Sequence, residues 1–380
     1  MEKKEKEEDK KKEDKFFMRT PGEPLPMPGE VVYSEEFLER RPQERGEGPQ
    51  PLRVVQWNIE RGYKMREIIA MLREADPDVA TIQEIDIDCD RSENVDTLRT
   101  LAAALGMAYV FVAEFEELRS PARSARDQGG GVHGNCILSR FPLRGCRAIK
   151  HRHQIVDWDR EGLARGEPRR GFRYTVTALV DVPGWGAGAA AAASAGPLRL
   201  YSSHLEVFCS AFQRVAQFCD VFDDSRASEA EDGARMQIVG GDLNTMGHGI
   251  ARLSPKYCGH DWARFWTLGQ SEGGWFARNV LHGEVKTEQA PQGPQKERRY
   301  NASLRWWGLP QDVCESAINN GFEDPYDVEK DITIESYAGW YYGKLDWTLL
   351  KGLVCTEKSL GNHDYSASDH KLLFIKVVPQ

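Results

Sequence analysis

Asp242 and Asn244 stand two residues apart in Gly240-Gly241-Asp242-Leu243-Asn244, directly after the short apolar run Met236 to Val239. On an extended backbone, residues two apart project to the same side. A carboxylate there can take a proton or bind a metal, and a carboxamide can orient a water or donate to an oxyanion. Such a pair at a strand's end suits hydrolysis of a phosphate ester; the plainer alternative is an Asx-type turn closing a strand. Five more polar clusters favour the first reading, because each ends or opens a similar run. They are Trp57-Asn58-Ile59-Glu60, Gln83-Glu84, Ser203-His204-Leu205-Glu206, Asp346-Trp347 and Ser368-Asp369-His370. Polar residues at buried strand ends are costly unless they share a site, so convergence at one sheet edge is expected. The inventory is carboxylates, carboxamides and two histidines without cysteine, an oxygen-rich set of the kind Mg²⁺ or Mn²⁺ prefers. No segment reads as a Ser nucleophile elbow, a Walker loop or a GxGxxG turn in the strand-then-helix setting that each requires.

The elements that must position these residues are short. Leu52 to Trp57, Val79 to Ile82, Ala108 to Val112, Asn135 to Leu138, Phe172 to Val182, Leu198 to Ser203, Met236 to Val239, Leu345 to Leu350 and Leu372 to Val378 read as strands. Met65 to Arg73 has helical apolar spacing and stops at Asp76-Pro77. Val95 to Leu105 reads as a helix ended by Gly106, and Phe208 to Phe222 as an amphipathic helix followed by a polar loop, Asp223 to Arg235. Several strand pairs have no helix between them, which predicts mixed sheets. Residues 1–51 are expected to be a disordered charged N-terminus, Met1 to Lys15, and a linker that drapes over the domain. Residues 52–380 form the domain, with an irregular Trp-rich insertion at about 246–337 that is either a helical layer or a lid beside the site. The Gly/Ala segment Gly184 to Gly196 and the Pro/Gln/Lys-rich break Gln289 to Arg299 are expected to lack order.

In order and spacing the clusters resemble the endonuclease/exonuclease/phosphatase superfamily, the fold of pancreatic-type deoxyribonuclease and the apurinic endonucleases. Gly134-Asn135-Cys136-Ile137-Leu138-Ser139-Arg140-Phe141-Pro142 is similar to that family's GNAILSR-P segment, and Glu167-Pro168-Arg169-Arg170-Gly171 to its E-x-RG segment. The resemblance spans roughly Leu52 to Val378. It implies an α/β fold, a four-layer α/β/β/α sandwich of two mixed β-sheets. It also implies roles. Asn58 and Glu84 match metal-binding positions, with Glu84 the principal Mg²⁺ ligand. Asp242 matches the residue that positions or deprotonates the attacking water, and Asn244 one that helps hold water and phosphate. His204 and His370 match donors to the scissile phosphate, and Asp346 and Asp369 carboxylates that orient these histidines or bind a second ion. The chemistry agrees, since a phosphodiester is shielded by its own charge and needs a cation and donors to compensate it. Glu60 and Glu206 could equally be solvated. His133 and Asn135 either line the site or shape the glycine loop, and His151 and His153 either meet substrate phosphates or belong to a solvated strand edge.

The expected function is Mg²⁺-dependent hydrolysis of a phosphodiester, by water and without a covalent intermediate, with nucleic acid as substrate. A phosphatase or phospholipase C-type hydrolase of phosphoinositide or sphingomyelin headgroups is the alternative, and an inactive binding module is a third reading from another class. The net charge of −9 gives the whole chain no positive field toward nucleic acid. Arg144, Arg147, Lys150, Arg152, Arg160, Arg165, Arg169, Arg170 and Arg173 make a basic segment that could serve as a polyanion track, and the Trp-rich region could stack bases. Eight Cys without CxxC pairs, no secretory h-region and no apolar run of transmembrane length fit an intracellular protein, cytoplasmic or nuclear, expected to be a monomer.

Overall fold

The fold is that of a computed structural model, which describes residues 15–20, 22–39, 50–185, 196–246, 248–249, 271–289, 297–336 and 339–380. Two large sheets carry the strands labelled here in chain order: β1 (Val31–Ser34), β2 (Leu52–Asn58), β3 (Val79–Ile87), β4 (Ala108–Glu117), β5 (Val132–Ser139), β6 (Leu143–Lys150), β7 (Arg169–Gly171), β8 (Tyr174–Val180), β9 (Leu198–His204), β10 (Met236–Asp242), β11 (Asp346–Lys351), β12 (Leu353–Gly361) and β13 (Leu372–Pro379). The first sheet has the order β1-β4-β5-β3-β2-β13-β12, with β7 also on β4, and the second β11-β10-β9-β8-β6. In each, one neighbouring pair is parallel, β2 with β3 and β9 with β10, and the other pairs are antiparallel.

Period-2 alternation divides the strands between layers. Leu52, Val54, Val79, Val110, Val112 and Ile137 of the first sheet face Val176, Ala178, Leu200, Met236 and Ile238 of the second, forming the central core. Val55, Trp57, Ala80 and Ile82 face outward, under helices α1 (Met65–Ala75) and α2 (Thr97–Leu105). On the far side Tyr201, Val239 and Leu349 pack under α3 (Ala211–Asp232). The result is a four-layer α/β/β/α sandwich of two mixed sheets.

The two sheets approach closely where β10 ends. A Cβ on Gly240 would lie 2.0 Å from Thr81 Oγ1, and one on Gly241 would lie 2.3 Å from the Ser203 carbonyl oxygen. The glycine pair therefore lets the end of β10 close against β3 and β9, which carries Asp242 up to residues of the other sheet.

Several expectations change. The linker expected over residues 16–51 contributes β1, which pairs with β4, while Phe16, Leu25 and Phe37 pack on the outer core of the first sheet. The helix expected to stop at Phe222 runs ten residues further, to Asp232. Ser225 and Ser228 continue its buried stripe at 0% and 1% exposure, and small hydroxyl residues do not register as an apolar face in the sequence. A capping box at Ser210 and Gln213 starts that helix, and Gly233 at φ +68 ends it. Gln289 and Glu297 to Arg299, expected in an unordered break, lie in the antiparallel pair Val285–Gln289 and Glu297–Asn301, where Glu288 faces Arg298 across the strands. Residues 1–14 and 186–195, expected to lack order, lie outside the described residues. Of the insertion's aromatics, Trp275 and Trp307 belong to the layer packed on α3, Trp306 is exposed, and Trp262 and Trp266 lie outside the described residues. Among the described residues no helix is long and apolar enough to cross a membrane.

Candidate active site

Register fixes the centre of the site. Asp242, last in β10, is paired across the parallel ladder with His204, last in β9, and across the antiparallel ladder with Asp346, first in β11. Asn58 ends β2 on the other sheet. Glu84 sits in β3 where the pairing with β5 slips between Ile82 and Ile85, and its backbone is left-handed at φ +61. The irregularity re-aims a side chain that regular pleating would turn elsewhere. Asp369 and His370 immediately precede β13. His370 is pinned by its backbone: its carbonyl accepts from Trp57 Nε1 at 3.0 Å and from Asn362 Nδ2 at 2.7 Å, and its N–H donates to Ser368 Oγ at 3.1 Å. Ser368 Oγ donates in turn to the Asn58 carbonyl at 2.7 Å, which ties the two motifs together.

The side chains meet around Asp242. Asn58 Nδ2 donates to Asp242 Oδ2 at 3.0 Å and to Glu84 Oε1 at 3.2 Å. Asp242 Oδ1 accepts the Asn244 N–H at 2.8 Å. Oδ2 lies 3.6 Å from His204 Nε2 and 3.8 Å from His370 Nε2. The other ring nitrogen of His370, Nδ1, is 2.7 Å from Asp346 Oδ2, while Asp346 Oδ1 accepts from Gln56 Nε2 at 2.9 Å. Asp369 stays at the mouth with 55% of its side chain exposed, 3.9 Å from His370 Nε2. Of the two candidate carboxylates, Asp346 is thus the one that holds the His370 ring.

These surroundings move the proton affinities apart. Burial, with Asp346 beside it, raises the Asp242 carboxyl well above the ordinary carboxylate range although His370 pulls the other way. Burial would lower His370, but Asp346, Asp369 and Asp242 outweigh it and lift the imidazole well above its ordinary value. His204 goes the opposite way, pushed down by burial and by Arg173 and His133. Burial raises Glu84, but Arg61, His133 and His370 more than compensate and leave it below its ordinary value.

Glu84, Asp369, Asp242, Asn244, His204 and His370 line a cleft of about 760 Å³. Asn58 and Asp346 lie in its floor, 1% and 0% exposed. The donor chemistry fits a hard divalent cation: among the described residues Glu84 is held only by the 3.2 Å contact from Asn58 and a 3.7 Å approach of Arg61, keeps 21% of its side chain exposed, and shares the cleft with a second carboxylate, Asp369. Asn58 turns its amide nitrogen to Glu84 and Asp242, its oxygen accepting the Glu60 N–H at 3.1 Å, so ligation by Asn58 requires its amide to turn over. Glu114, His133 and His204 also gather possible ligand atoms, but both Glu114 oxygens are already taken, by Arg173 Nη1 at 3.0 Å and the Tyr174 N–H at 2.9 Å.

Other sequence candidates fall elsewhere. His133 lines the cleft, its Nδ1 2.7 Å from Asp86, whereas Asn135 is buried with Nδ2 on the Tyr174 carbonyl. His151 is neither a phosphate contact nor solvated: it is 1% exposed, with Nε2 3.2 Å from Thr175 Oγ1. His153 pairs with Asp312 at 3.6 Å. Glu206 is buried and accepts from Trp158 Nε1 and the Val207 and Phe208 N–H groups. Eight of the nine cations of the basic segment have an acidic partner beside them. Arg144 pairs with Asp181, Arg147 with Asp224, Arg152 with Asp220 and Asp223, Arg160 with Asp157, Arg165 with Glu161, Arg169 with Glu167, Arg170 with Glu116 and Arg173 with Glu114, while Lys150 lies over the Phe172 ring. Arg61 and Gln56 were not singled out in the sequence, and only the position of Arg61, three beyond Asn58, hints at the cleft.

The sequence of residues 55–370 matches the Endonuclease/Exonuclease/phosphatase family. The chain belongs to that family. No curated protein matches it. Among solved structures, ANGEL2, described as a 2′,3′-cyclic phosphatase, is similar at 12% identity and a TM-score of 0.50, covering 92% of this chain and 98% of its own. An endonuclease/exonuclease/phosphatase from Beutenbergia cavernae is similar at 18% identity and a TM-score of 0.48, covering 87% and 72%. A humanized D. rerio TDP2 is similar at 14% identity and a TM-score of 0.46, covering 86% and 99%. At these identities the likeness is one of fold: the chain has the two-sheet sandwich of the endonuclease/exonuclease/phosphatase family.

Proposed function

We propose that the protein is a divalent-metal-dependent phosphoesterase that hydrolyses phosphodiester bonds in nucleic acid by direct attack of water. The observation that carries this reading is the carboxylate of Asp242, set among Asn58, His204 and His370 with Asp346 behind. In that role Asp242 accepts the proton of the attacking water. Burial and a neighbouring carboxylate give it the raised proton affinity that a base needs. Asn244 commits its amide nitrogen to the Leu205 carbonyl at 2.9 Å, which leaves its oxygen to hold a water. His370, its proton affinity raised by the surrounding carboxylates and its ring fixed at Nδ1 by Asp346, presents Nε2 as a donor to the phosphate oxygens; His204, its proton affinity lowered by burial, donates from the adjacent strand. Glu84 and Asp369 would hold Mg²⁺ or Mn²⁺, with Asn58 joining after a turn of its amide. The bound cation would polarise a phosphoryl oxygen and neutralise developing charge. Nucleic acid is favoured because the half-buried Tyr365 lines the cleft beside these polar groups, offering a ring for a base to stack on, with the buried Phe208 and Tyr341 in the wall.

The test is a panel of single- and double-stranded DNA, RNA, a 2′,3′-cyclic nucleotide, sphingomyelin and phosphoinositides, each with Mg²⁺ and with EDTA. Turnover of a nucleic acid with Mg²⁺ and none with EDTA is expected. Undiminished activity in EDTA would overturn the metal dependence, and turnover of a lipid headgroup alone would overturn the substrate class. Chiral phosphorothioate substrate should come out inverted at phosphorus; retention would require a covalent intermediate.

A further inference from the structure

Three consecutive residues after Ile59 have left-handed backbones: Glu60 at φ +48, Arg61 at φ +61 and Gly62 at φ +73. Only the glycine adopts this region without steric cost. The turn is held by its surroundings. The Glu60 N–H donates to Asn58 Oδ1 at 3.1 Å, the Gly62 N–H to the Ile59 carbonyl at 3.0 Å, and the Tyr63 N–H to the Glu60 carbonyl at 3.2 Å. What the strained turn achieves is the placement of Arg61 on the cleft wall beside Glu84.

Arg61 differs from the other two arginines that line the cleft. Arg169 and Arg173 are 4% and 3% exposed along their side chains and close on Glu167 at 3.2 Å and Glu114 at 3.0 Å. Arg61 keeps 23% of its side chain exposed. Its guanidinium has five donors, of which Nη1 meets the Tyr63 hydroxyl at 3.3 Å and Nε approaches Glu84 Oε2 at 3.7 Å, too far for a hydrogen bond. Tyr63 is itself braced, donating to Asp127 Oδ1 at 3.2 Å with Arg126 over its ring. The Glu84 carboxylate thus has Asn58 on one oxygen and Arg61 on the other. A cation and Arg61 compete for that second oxygen, and an anionic substrate offers Arg61 a better partner.

We propose that Arg61 is a phosphate-binding residue. It neutralises Glu84 before the cation arrives, is released when the cation takes that carboxylate, and then donates to a non-bridging oxygen of the substrate phosphate. This rests on the phosphoesterase reading above. A planar fork suits a phosphate and a lone ammonium does so less well, so Arg61→Lys should fall between the parent and Arg61→Gln.

The experiment compares the parent with Arg61→Gln, Arg61→Lys and Arg61→Gly on the best nucleic-acid substrate of the parent, with Mg²⁺. Arg61→Gln should lose about tenfold or more in kcat/KM, with Arg61→Lys recovering part. Two readouts do not depend on turnover. Arg61→Gly should match the loss in activity while unfolding at a higher temperature than Arg61→Gln, because glycine relieves the left-handed backbone. Half of the Mg²⁺-induced thermal stabilisation should need several-fold less Mg²⁺ in Arg61→Gln, because a competing positive charge is gone. Parent-like kcat/KM in Arg61→Gln with an active parent overturns the phosphate contact, and an unchanged or raised Mg²⁺ requirement overturns the release from Glu84. A parent inactive on every phosphodiester overturns the phosphoesterase reading and this inference with it.

Discussion

Asp242 on the cleft wall and Asp86 behind it are both buried, 2% and 0% exposed, and their environments drive them in opposite directions. Asp86 meets the Arg91 guanidinium on both oxygens, at 2.7 and 2.9 Å, and His133 at 2.7 Å. Burial alone would raise it, but these partners hold its carboxyl down at about 2. Arg91 also reaches Glu117 at 3.2 Å, Glu117 pairs with Arg123, and the Arg169 guanidinium beyond lies between the rings of Phe115 and Trp158. Among the described residues no guanidinium sits on Asp242. It meets an amide, a backbone N–H and two imidazoles, and faces a second carboxylate across the strand pair. The first arrangement fixes charge and holds the cleft wall in shape. The second leaves a carboxylate poised to take a proton.

That contrast predicts where mutations act. The largest expected effect is on stability: Arg91→Met strips Asp86 and Glu117 of their shared partner and should cost about 3–5 kcal/mol in urea denaturation. A variant that unfolds like the parent but loses turnover would place this network in the chemistry and erase the distinction.

Asp242→Asn should behave in the reverse way. It keeps the shape, removes the base and relieves the repulsion from Asp346. Turnover should fall on the order of a hundredfold or more while the melting temperature stays level or rises. Turnover equal to the parent would remove Asp242 from the mechanism.

A third expectation concerns pH. Asp86 sits at about 2 in the folded chain against an ordinary 3.8, so its contribution, about 2 kcal/mol, is fully present above the ordinary value. It is lost as pH falls from about 4 through about 2. Denaturation midpoints should drop over that window in the parent, and the share belonging to Asp86 should be missing in Asp86→Asn. An identical acid dependence in both would show that the pair does not hold the carboxyl down.

The smallest effect belongs to the basic segment. Arg144 and Asp181 pair at 2.9 Å with 51% and 70% of their side chains exposed. Arg144→Gln should change stability by less than about 1 kcal/mol and leave kcat/KM on nucleic acid unchanged. A clear rise in KM would restore that segment as a track for the substrate.

The difference between the two networks also explains what could be read in advance. The eight candidate residues were legible because each polar cluster interrupts or ends a β-rich apolar run, where a polar side chain needs a reason. Asp86, Arg91, Glu117 and Arg173 carry no such mark. In sequence they resemble solvated charge, and burial appears only once partners from distant segments close on them. The continuation of α3 past Phe222 was hidden for a related reason, since Ser225 and Ser228 fill a buried stripe without apolar character.

The chain's own residues, in their order, determined the alternation that builds two mixed sheets, the glycine pair before Asp242, and the donor types at the strand ends. Side-chain period and the chemistry of carboxylate, amide and imidazole are local properties, fixed before folding. Tertiary structure alone decided that Asp346 rather than Asp369 holds His370, that Asn58 turns its amide nitrogen toward Glu84 and Asp242, and that Arg61 enters the cleft while the arginines of the basic segment are neutralised. Each of these outcomes depends on which of several like residues comes within hydrogen-bonding reach. That is set by strand register and by a left-handed turn, neither of which is encoded in the identity of any one residue.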